Sequence, residues 1–195
     1  NIMTALYAFV VISFFITIVD IIIRFPLQSE MIDYNDIQAI VINVLALLIQ
    51  IVFFAYGFVN AIRGMLSPKR MGAVIVAFFA ATCITGTGNM VINSNVQIVL
   101  WWIVLIIPNI VGAVATFAYF VSGKKSKIYS IIIYLAAIWG MFRIIYSNYN
   151  LIVHANQYLS MNSTVRLVLG IAIHCLVIYQ TYVLWIKRQN AIDIS

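Results

Sequence analysis

The stretch QAIVINVLALLIQIVFFAYGFVNAI, residues 38–62, decides the class of fold. It contains no Asp, Glu, Lys or Arg and ends immediately before Arg63. A helix needs about 20 apolar residues to cross the hydrocarbon core of a membrane. A charged side chain at the bilayer centre costs at least roughly 2.5–3.5 kcal/mol, so a long uncharged run is what insertion requires. The stretch therefore predicts a transmembrane helix.

The rest of the chain repeats this pattern five times, at about 3–23, 71–93, 96–121, 128–152 and 166–186. Polar or helix-breaking residues separate the successive stretches. The first stretch has no basic residue before it and no cleavage motif after it, so we expect a membrane span rather than a signal peptide. We predict an all-α integral membrane protein, in which residues 1–195 form one six-helix transmembrane bundle.

The composition supports this class of protein. Of the 195 residues, 65% are hydrophobic and 8% are charged, and the mean hydropathy is +1.08. A soluble domain has about 25% charged residues, so a water-soluble globule is excluded, as is a disordered chain. Cys83 and Cys175 both fall in apolar runs, and we interpret them as buried thiols rather than a disulfide or metal site. No cofactor or metal is expected.

The basic residues predict the topology. The net charge is +6, and eight of the eleven Lys and Arg follow the second, fourth and sixth stretches: Arg63, Lys69, Arg70, Lys124, Lys125, Lys127, Lys187 and Arg188. Positive charge accumulates on the cytoplasmic side, so we expect this side and both termini to be cytoplasmic. Insertion explains the cations, and the expected partner is a lipid bilayer, not nucleic acid. We expect a multi-pass protein of a prokaryotic cytoplasmic membrane.

Polar residues in the first two stretches suggest two local features. Asp20 and Arg24 are four residues apart, which places them on one helical face as an ion pair near the outer headgroups. Asn43 and Gln50 are seven residues apart and also share a face. One amide in a span often joins two helices, whereas two on one face favour a polar cavity.

The third stretch divides into a small-residue half and a polar half. Every fourth position carries one of the following residues: Ala73, Ala77, Ala81, Thr85 and Asn89. Small residues at this spacing favour close helix packing, and they are also a candidate docking surface for a second membrane subunit. The polar half is expected to be open. Gly86 and Gly88 are expected to weaken the helix there and to expose backbone amides.

The last three stretches add further polar residues. Pro108 should kink the fourth helix, and Asn109 would serve either the freed backbone or a solute. Arg143 lies deep in the fifth stretch, with Ser147 and Asn150 on its outward face; it either lines a wet interior or extends to the surface. His174, at a similar depth, is either a satisfied core histidine or a solute ligand.

Together these residues predict a cavity in the outer half of the bundle that binds a small polar solute. The candidate binding residues are Asn43, Gln50, Thr85, Asn89, Asn109, Arg143, Ser147, Asn150 and His174. Arginine favours a carboxylate or phosphate, and Tyr134, Trp139 and Tyr146 would pack a ring, so the solute is expected to be anionic or heteroaromatic. The predicted function is solute binding or transport.

Two alternative functions stay open. One is a membrane-embedded enzyme acting on a lipid or isoprenoid; the sequence is against it, because no nucleophile–base pair, paired acids or HExxH motif occurs. The other is an accessory or immunity subunit that binds another membrane protein.

In size, in six spans and in the expected side of both termini, the chain resembles the substrate-binding subunits of energy-coupling-factor vitamin transporters. The resemblance implies ligand capture in the outer half. It is one of architecture and not of motif, because the alanine pair usual on their first span is missing from residues 2–25. The nearest match to it is the alanine stripe of the third span.

Overall fold

Six helices form the part of the chain that the computed structural model describes, residues 2–28, 34–92, 96–148 and 161–192. They are α1 (Ile2–Gln28), α2 (Tyr34–Ile62), α3 (Pro68–Ile92), α4 (Val96–Thr116), α5 (Lys127–Ser147) and α6 (Met161–Ile192). A five-residue π-helical turn, Phe117–Val121, continues α4. Each helix is long and apolar enough to cross a membrane, which confirms the prediction of six long apolar helices.

The helix ends differ from the predicted spans at several points. Helix α1 continues through Pro26, where a break was expected, and α6 begins at Met161, before the apolar stretch does. Hydropathy marks where a helix is apolar, whereas helical hydrogen bonding continues into polar sequence. Helix α5 ends earlier than predicted because Asn148 caps it: the backbone N–H and the side-chain amide of Asn148 both donate to the carbonyl of Ile144, at 3.1 and 2.8 Å.

The six helices pack as a ring. Each helix contacts the next along the chain, α6 returns to α1, and α3 reaches α6 across the centre. The interior contains fully buried side chains from five of the helices: Tyr7, Phe14, Phe54, Phe79, Ile133 and Leu176. The outward faces carry large apolar side chains such as Leu100, Val114 and Leu135, each more than 60% exposed. Such a surface suits lipid and not water.

One end of the ring, which we call the basic end, carries the eight Lys and Arg that follow the second, fourth and sixth apolar stretches. Two of its arginines join neighbouring segments. Arg70 of α3 donates to the side-chain oxygen of Asn60 and to the carbonyl of Met65, both at 2.7 Å. Arg188 of α6 donates to the carbonyls of Tyr119 and Lys124 at 2.7 and 3.0 Å. These bonds satisfy carbonyls near the ends of α2 and α4.

Candidate functional site

A cavity of about 490 Å³ lies between α1, α2, α3, α5 and α6, in the half of the ring away from the basic end. Its polar lining consists of Thr17, Asn43, Gln50, Thr82, Thr85, Arg143 and His174. Its apolar lining includes Phe14, Leu47, Phe78, Ile144, Leu169 and Ile173. This volume lies in the range of small-molecule sites, about 300–1,000 Å³. Five of the nine predicted binding residues therefore share one cavity: Asn43, Gln50, Thr85, Arg143 and His174.

Arg143 supplies the positive charge of the cavity. It lies about 24 Å along α5 from Lys127, at the ~1.5 Å rise of a helix, and is partly buried. Its guanidinium makes no hydrogen bond or ion pair with any described residue, and the described side chains of the lining include no Asp or Glu. No described residue takes up any of its five guanidinium N–H groups, which can donate to water or to a solute.

Two threonines of the lining have already used their hydroxyl hydrogens. Thr17 donates to the carbonyl of Ser13 at 2.9 Å, and Thr82 donates to the carbonyl of Phe78 at 3.0 Å. Each hydroxyl oxygen then has only acceptor capacity left. Gln50 and Thr85 differ, because their side chains have no hydrogen-bond partner in the part of the chain that the structure describes. The cavity thus offers donors and acceptors from separate residues.

His174 forms one wall and is held on three sides. Its Nδ1 lies 2.6 Å from the carbonyl oxygen of Gly170, which can only accept, so Nδ1 carries the hydrogen. The ring of Phe78 meets it edge to face, with centroids 5.0 Å apart. On the third side a Cβ at Gly140 would overlap the imidazole, so glycine there lets α5 approach α6 closely. This geometry suits a rigid wall residue.

Toward the basic end, next to the cavity but not part of its lining, lies a buried polar pair that the sequence did not reveal; we call the layer around this pair the floor. Gln180 of α6 donates its side-chain amide to the Tyr7 hydroxyl of α1, and both side chains are fully buried. Gly57 of α2 leaves room for the Tyr7 ring, which a Cβ there would overlap. Phe54 packs against both Tyr7 and Phe14, with centroids 6.2 and 5.6 Å away. The only signal in the sequence was a glutamine inside a span, which needs a partner there.

Asn109 and Ser147, two of the predicted binding residues, do not line the cavity. Asn109 lies on α4, which contributes no lining residue, and its side-chain amide donates to the carbonyl of Leu105 at 2.5 Å. Ser147 is exposed near the end of α5 and donates to the carbonyl of Ile144 at 3.1 Å. Both side chains serve their own helix, which is the local solution open to Asn and Ser in a span.

The aromatic residues proposed to pack a ring are also elsewhere. Trp139 of α5 donates its indole N–H to the carbonyl of Val104 at 3.0 Å, the carbonyl that loses its helical partner because Pro108 has no N–H. Tyr146 is 61% exposed, and Tyr134 does not line the cavity. Phe14 and Phe78 line the cavity instead, and no sequence pattern distinguishes them from the other phenylalanines, of which the chain has 12 in all.

Helix α3 corrects a further expectation. The run Thr82–Asn89 is helical throughout, as part of a helix that continues to Ile92. Gly86 does not open the backbone to a ligand, since Leu105 of α4 occupies the space where its Cβ would be. Ala77 and Ala81 are buried in the bundle and Ala73 is partly buried. The alanine stripe therefore packs inside the ring, and Ala77 and Ala81 are not available as a docking surface.

Four predicted residues fall outside what the structure describes. Asn150 lies outside the described ranges, and the side chains of Asp20, Arg24 and Asn89 are likewise not described. The predicted Asp20–Arg24 ion pair and the roles of Asn89 and Asn150 stay predictions.

Comparison of the chain with family models, with curated proteins and with solved structures gives no match. The geometry of the cavity is therefore the basis for the function proposed below.

Proposed function

We propose that this protein captures a small polar, anionic solute in the cavity, as the binding step of transport across a membrane. The observation that carries the proposal is Arg143, whose guanidinium lines the cavity without a hydrogen bond or ion pair from any described residue. A charged group inside a membrane is costly unless a partner or water stabilises it. Buried polar groups are almost always satisfied, so this arginine indicates a site completed by something outside the chain.

Neighbouring groups support a solute site rather than a lone buried charge. Gln50 and Thr85, on α2 and α3, also have side chains without a partner in the described residues. Together with Arg143 they place free donors on three helices around one hollow. A few convergent polar groups in a largely apolar pocket are typical of a binding site.

We further propose that the basic end lies in the cytoplasm of a prokaryotic cell. Eight of the eleven Lys and Arg are at this end, and positive residues flank spans on the cytoplasmic side. The cavity then opens toward the outside, and the floor around Tyr7 and Gln180 separates it from the cytoplasm. A solute would enter from outside and bind in a cavity that is closed toward the cytoplasm.

Cysteine accessibility tests the cavity and its side together. In a background with Cys83→Ala and Cys175→Ala, we expect Gln50→Cys to react with a membrane-impermeant thiol reagent added outside right-side-out vesicles. The matched control is Ile75→Cys on α3, a residue 1% exposed that does not line the cavity, which should stay unlabelled. Labelling of Gln50→Cys only from the cytoplasmic side, or from neither side, would contradict the proposal.

Ligand stabilisation tests the role of Arg143. In a panel of small anionic, neutral and cationic metabolites, at least one anion should raise the melting temperature of the purified protein, since a ligand that binds only the folded state stabilises it. Arg143→Ala should lose most of that rise. A rise that is unchanged in Arg143→Ala would place the solute elsewhere.

A further inference from the structure

We infer that the solute is a monocarboxylate with an apolar body that also carries a hydrogen-bond donor. The inference rests on the proposed function and names the class of substrate for the same cavity. It follows from the charge, the shape and the hydrogen-bonding capacity of the lining, taken in that order.

Charge decides between the possible head groups. Among the described side chains of the lining, Arg143 is the one Lys or Arg, and none is an Asp or Glu. One negative charge on the solute is balanced by this arginine. A phosphate with two charges would leave one of them unbalanced in an environment where uncompensated charge is costly. An amino acid or an amine would bring an ammonium group, for which the described part of the lining offers no carboxylate.

Shape favours a carboxylate with an apolar body. The guanidinium is a planar fork that accepts a carboxylate through two parallel hydrogen bonds. The lining also contains large apolar side chains, among them Phe14 on α1, Phe78 on α3 and Ile173 on α6. Apolar atoms of a solute would be removed from water against these side chains, which favours binding in proportion to the area buried.

The hydrogen-bonding capacity of the lining indicates that the solute also carries a hydrogen-bond donor. Thr17 and Thr82 each give their hydroxyl hydrogen to a helix carbonyl, so their oxygens can only accept from a solute. These two acceptors lie on α1 and α3, whereas Arg143 lies on α5. A solute held by its carboxylate at α5 meets acceptors on other helices, and a hydroxyl or N–H on its body would be paired there.

A matched set of compounds tests each part. The reference probe is 4-hydroxyphenylacetate, which has one carboxylate, an apolar ring and a donor at the far end. The comparison compounds change one property each: 4-hydroxyphenylacetamide removes the charge, 4-hydroxyphenyl phosphate doubles it, tyramine reverses it, and 4-methylphenylacetate removes the donor. Binding is measured by calorimetry on the purified protein in detergent, supported by melting temperature.

We expect the reference probe to bind at least about tenfold more tightly than the amide, the phosphate and tyramine, because a hydrogen bond to a charged group contributes about a factor of ten or more. The methyl compound should bind about three- to tenfold more weakly, as expected for one neutral hydrogen bond. In the double variant Thr17→Val and Thr82→Val, the hydroxyl and methyl compounds should bind equally. Arg143→Gln should lose the preference for the carboxylate, whereas Arg63→Gln at the basic end should keep it.

Tighter binding of the phosphate, of tyramine or of the amide would overturn the inference, as would unchanged carboxylate binding in Arg143→Gln. Absence of binding by the whole set would overturn it as well. The labelling of Gln50→Cys separates the two proposals in that case: labelling from outside leaves solute capture standing with another class of solute, and no labelling removes both.

Discussion

The half of the bundle between the basic end and the Tyr7–Gln180 floor, the basic half, and the half that contains the cavity, the cavity half, differ in how they satisfy polar side chains. In the basic half Arg70 bonds Asn60 and the carbonyl of Met65, and Arg188 bonds two carbonyls and lies 4.1 Å from the centre of the Tyr119 ring. In the cavity half, Arg143 makes no such bond with any residue in the described ranges.

The difference separates two uses of one residue type. An arginine whose hydrogen bonds are made by its own protein stabilises the fold, and its removal leaves carbonyls or amides unpaired. An arginine that makes no hydrogen bond within the protein does not stabilise the fold. Its side chain contributes a favourable interaction only when it binds water or a solute. Stability measurements on the two halves can test this distinction without knowledge of the solute.

The largest effect is expected at the floor. Tyr7→Ala removes a fully buried ring that contacts Phe54, and leaves the amide of Gln180 without its partner. Replacing a buried aromatic side chain by alanine costs about 3–5 kcal/mol. We expect a loss of that size in the free energy of unfolding, measured by titration with SDS in mixed micelles.

Phe9→Ala on the same helix is the matched control. Phe9 is 45% exposed on the outer face of α1, so its loss should change the free energy of unfolding far less. Equal losses for Tyr7→Ala and Phe9→Ala would mean that the floor is not a packed barrier between the two halves.

Replacing an arginine is expected to change the free energy of unfolding less, and by different amounts in the two halves. Arg70→Met removes charge-assisted hydrogen bonds to Asn60 and Met65 and should cost about 1.5–3 kcal/mol of unfolding free energy. Arg143→Met takes no partner from any described group, so it should cost nothing or raise the stability. Both variants are measured by the same SDS titration. A loss in Arg143→Met as large as that in Arg70→Met would show that Arg143 is a structural residue, and the comparison would fail.

The sequence predicts the helices far better than it predicts their faces. Uncharged length is enough to predict six long apolar helices, because crossing a bilayer would impose the same length requirement on each of them. Which face of each helix points into the bundle is harder to predict. Nearly every residue of such a helix is apolar, whether it faces lipid or protein, so the spacing of apolar residues does not distinguish the two faces. Phe14 and Phe15 are adjacent in α1, yet the first is 1% and the second 59% exposed.

Polar residues are the exceptions that could be used, and they were informative where their own helix did not satisfy them. Gln50 and Arg143 were predicted to meet and do line one cavity. Asn109 and Ser147 have side chains short enough to bond a carbonyl one turn away, so they stay with their own helices. That choice depends on rotamers and neighbours, which the sequence does not specify. Thr17 and Thr82 combine the two behaviours: each donates a hydrogen bond to a carbonyl of its own helix, and each also lines the cavity.

The smallest net change in the free energy of unfolding is expected for a double substitution at the floor. This experiment tests whether the polar pair stabilises the fold. Gln180→Leu alone leaves the Tyr7 hydroxyl unpaired, and should cost about 1–3 kcal/mol. Tyr7→Phe alone leaves the Gln180 amide unpaired, with a cost of the same order, whereas the double variant Tyr7→Phe and Gln180→Leu removes both partners and should recover most of the stability. The recovery can exceed the loss, because the side-chain oxygen of Gln180 has no partner among the described residues and its burial is already a cost.

SDS titration of the two single variants and the double variant gives the coupling energy. If the double variant keeps full stability yet loses uptake of the solute in proteoliposomes, the pair is present for transport and not for the fold; if the two losses simply add, the hydrogen bond between α1 and α6 is not what stabilises the floor.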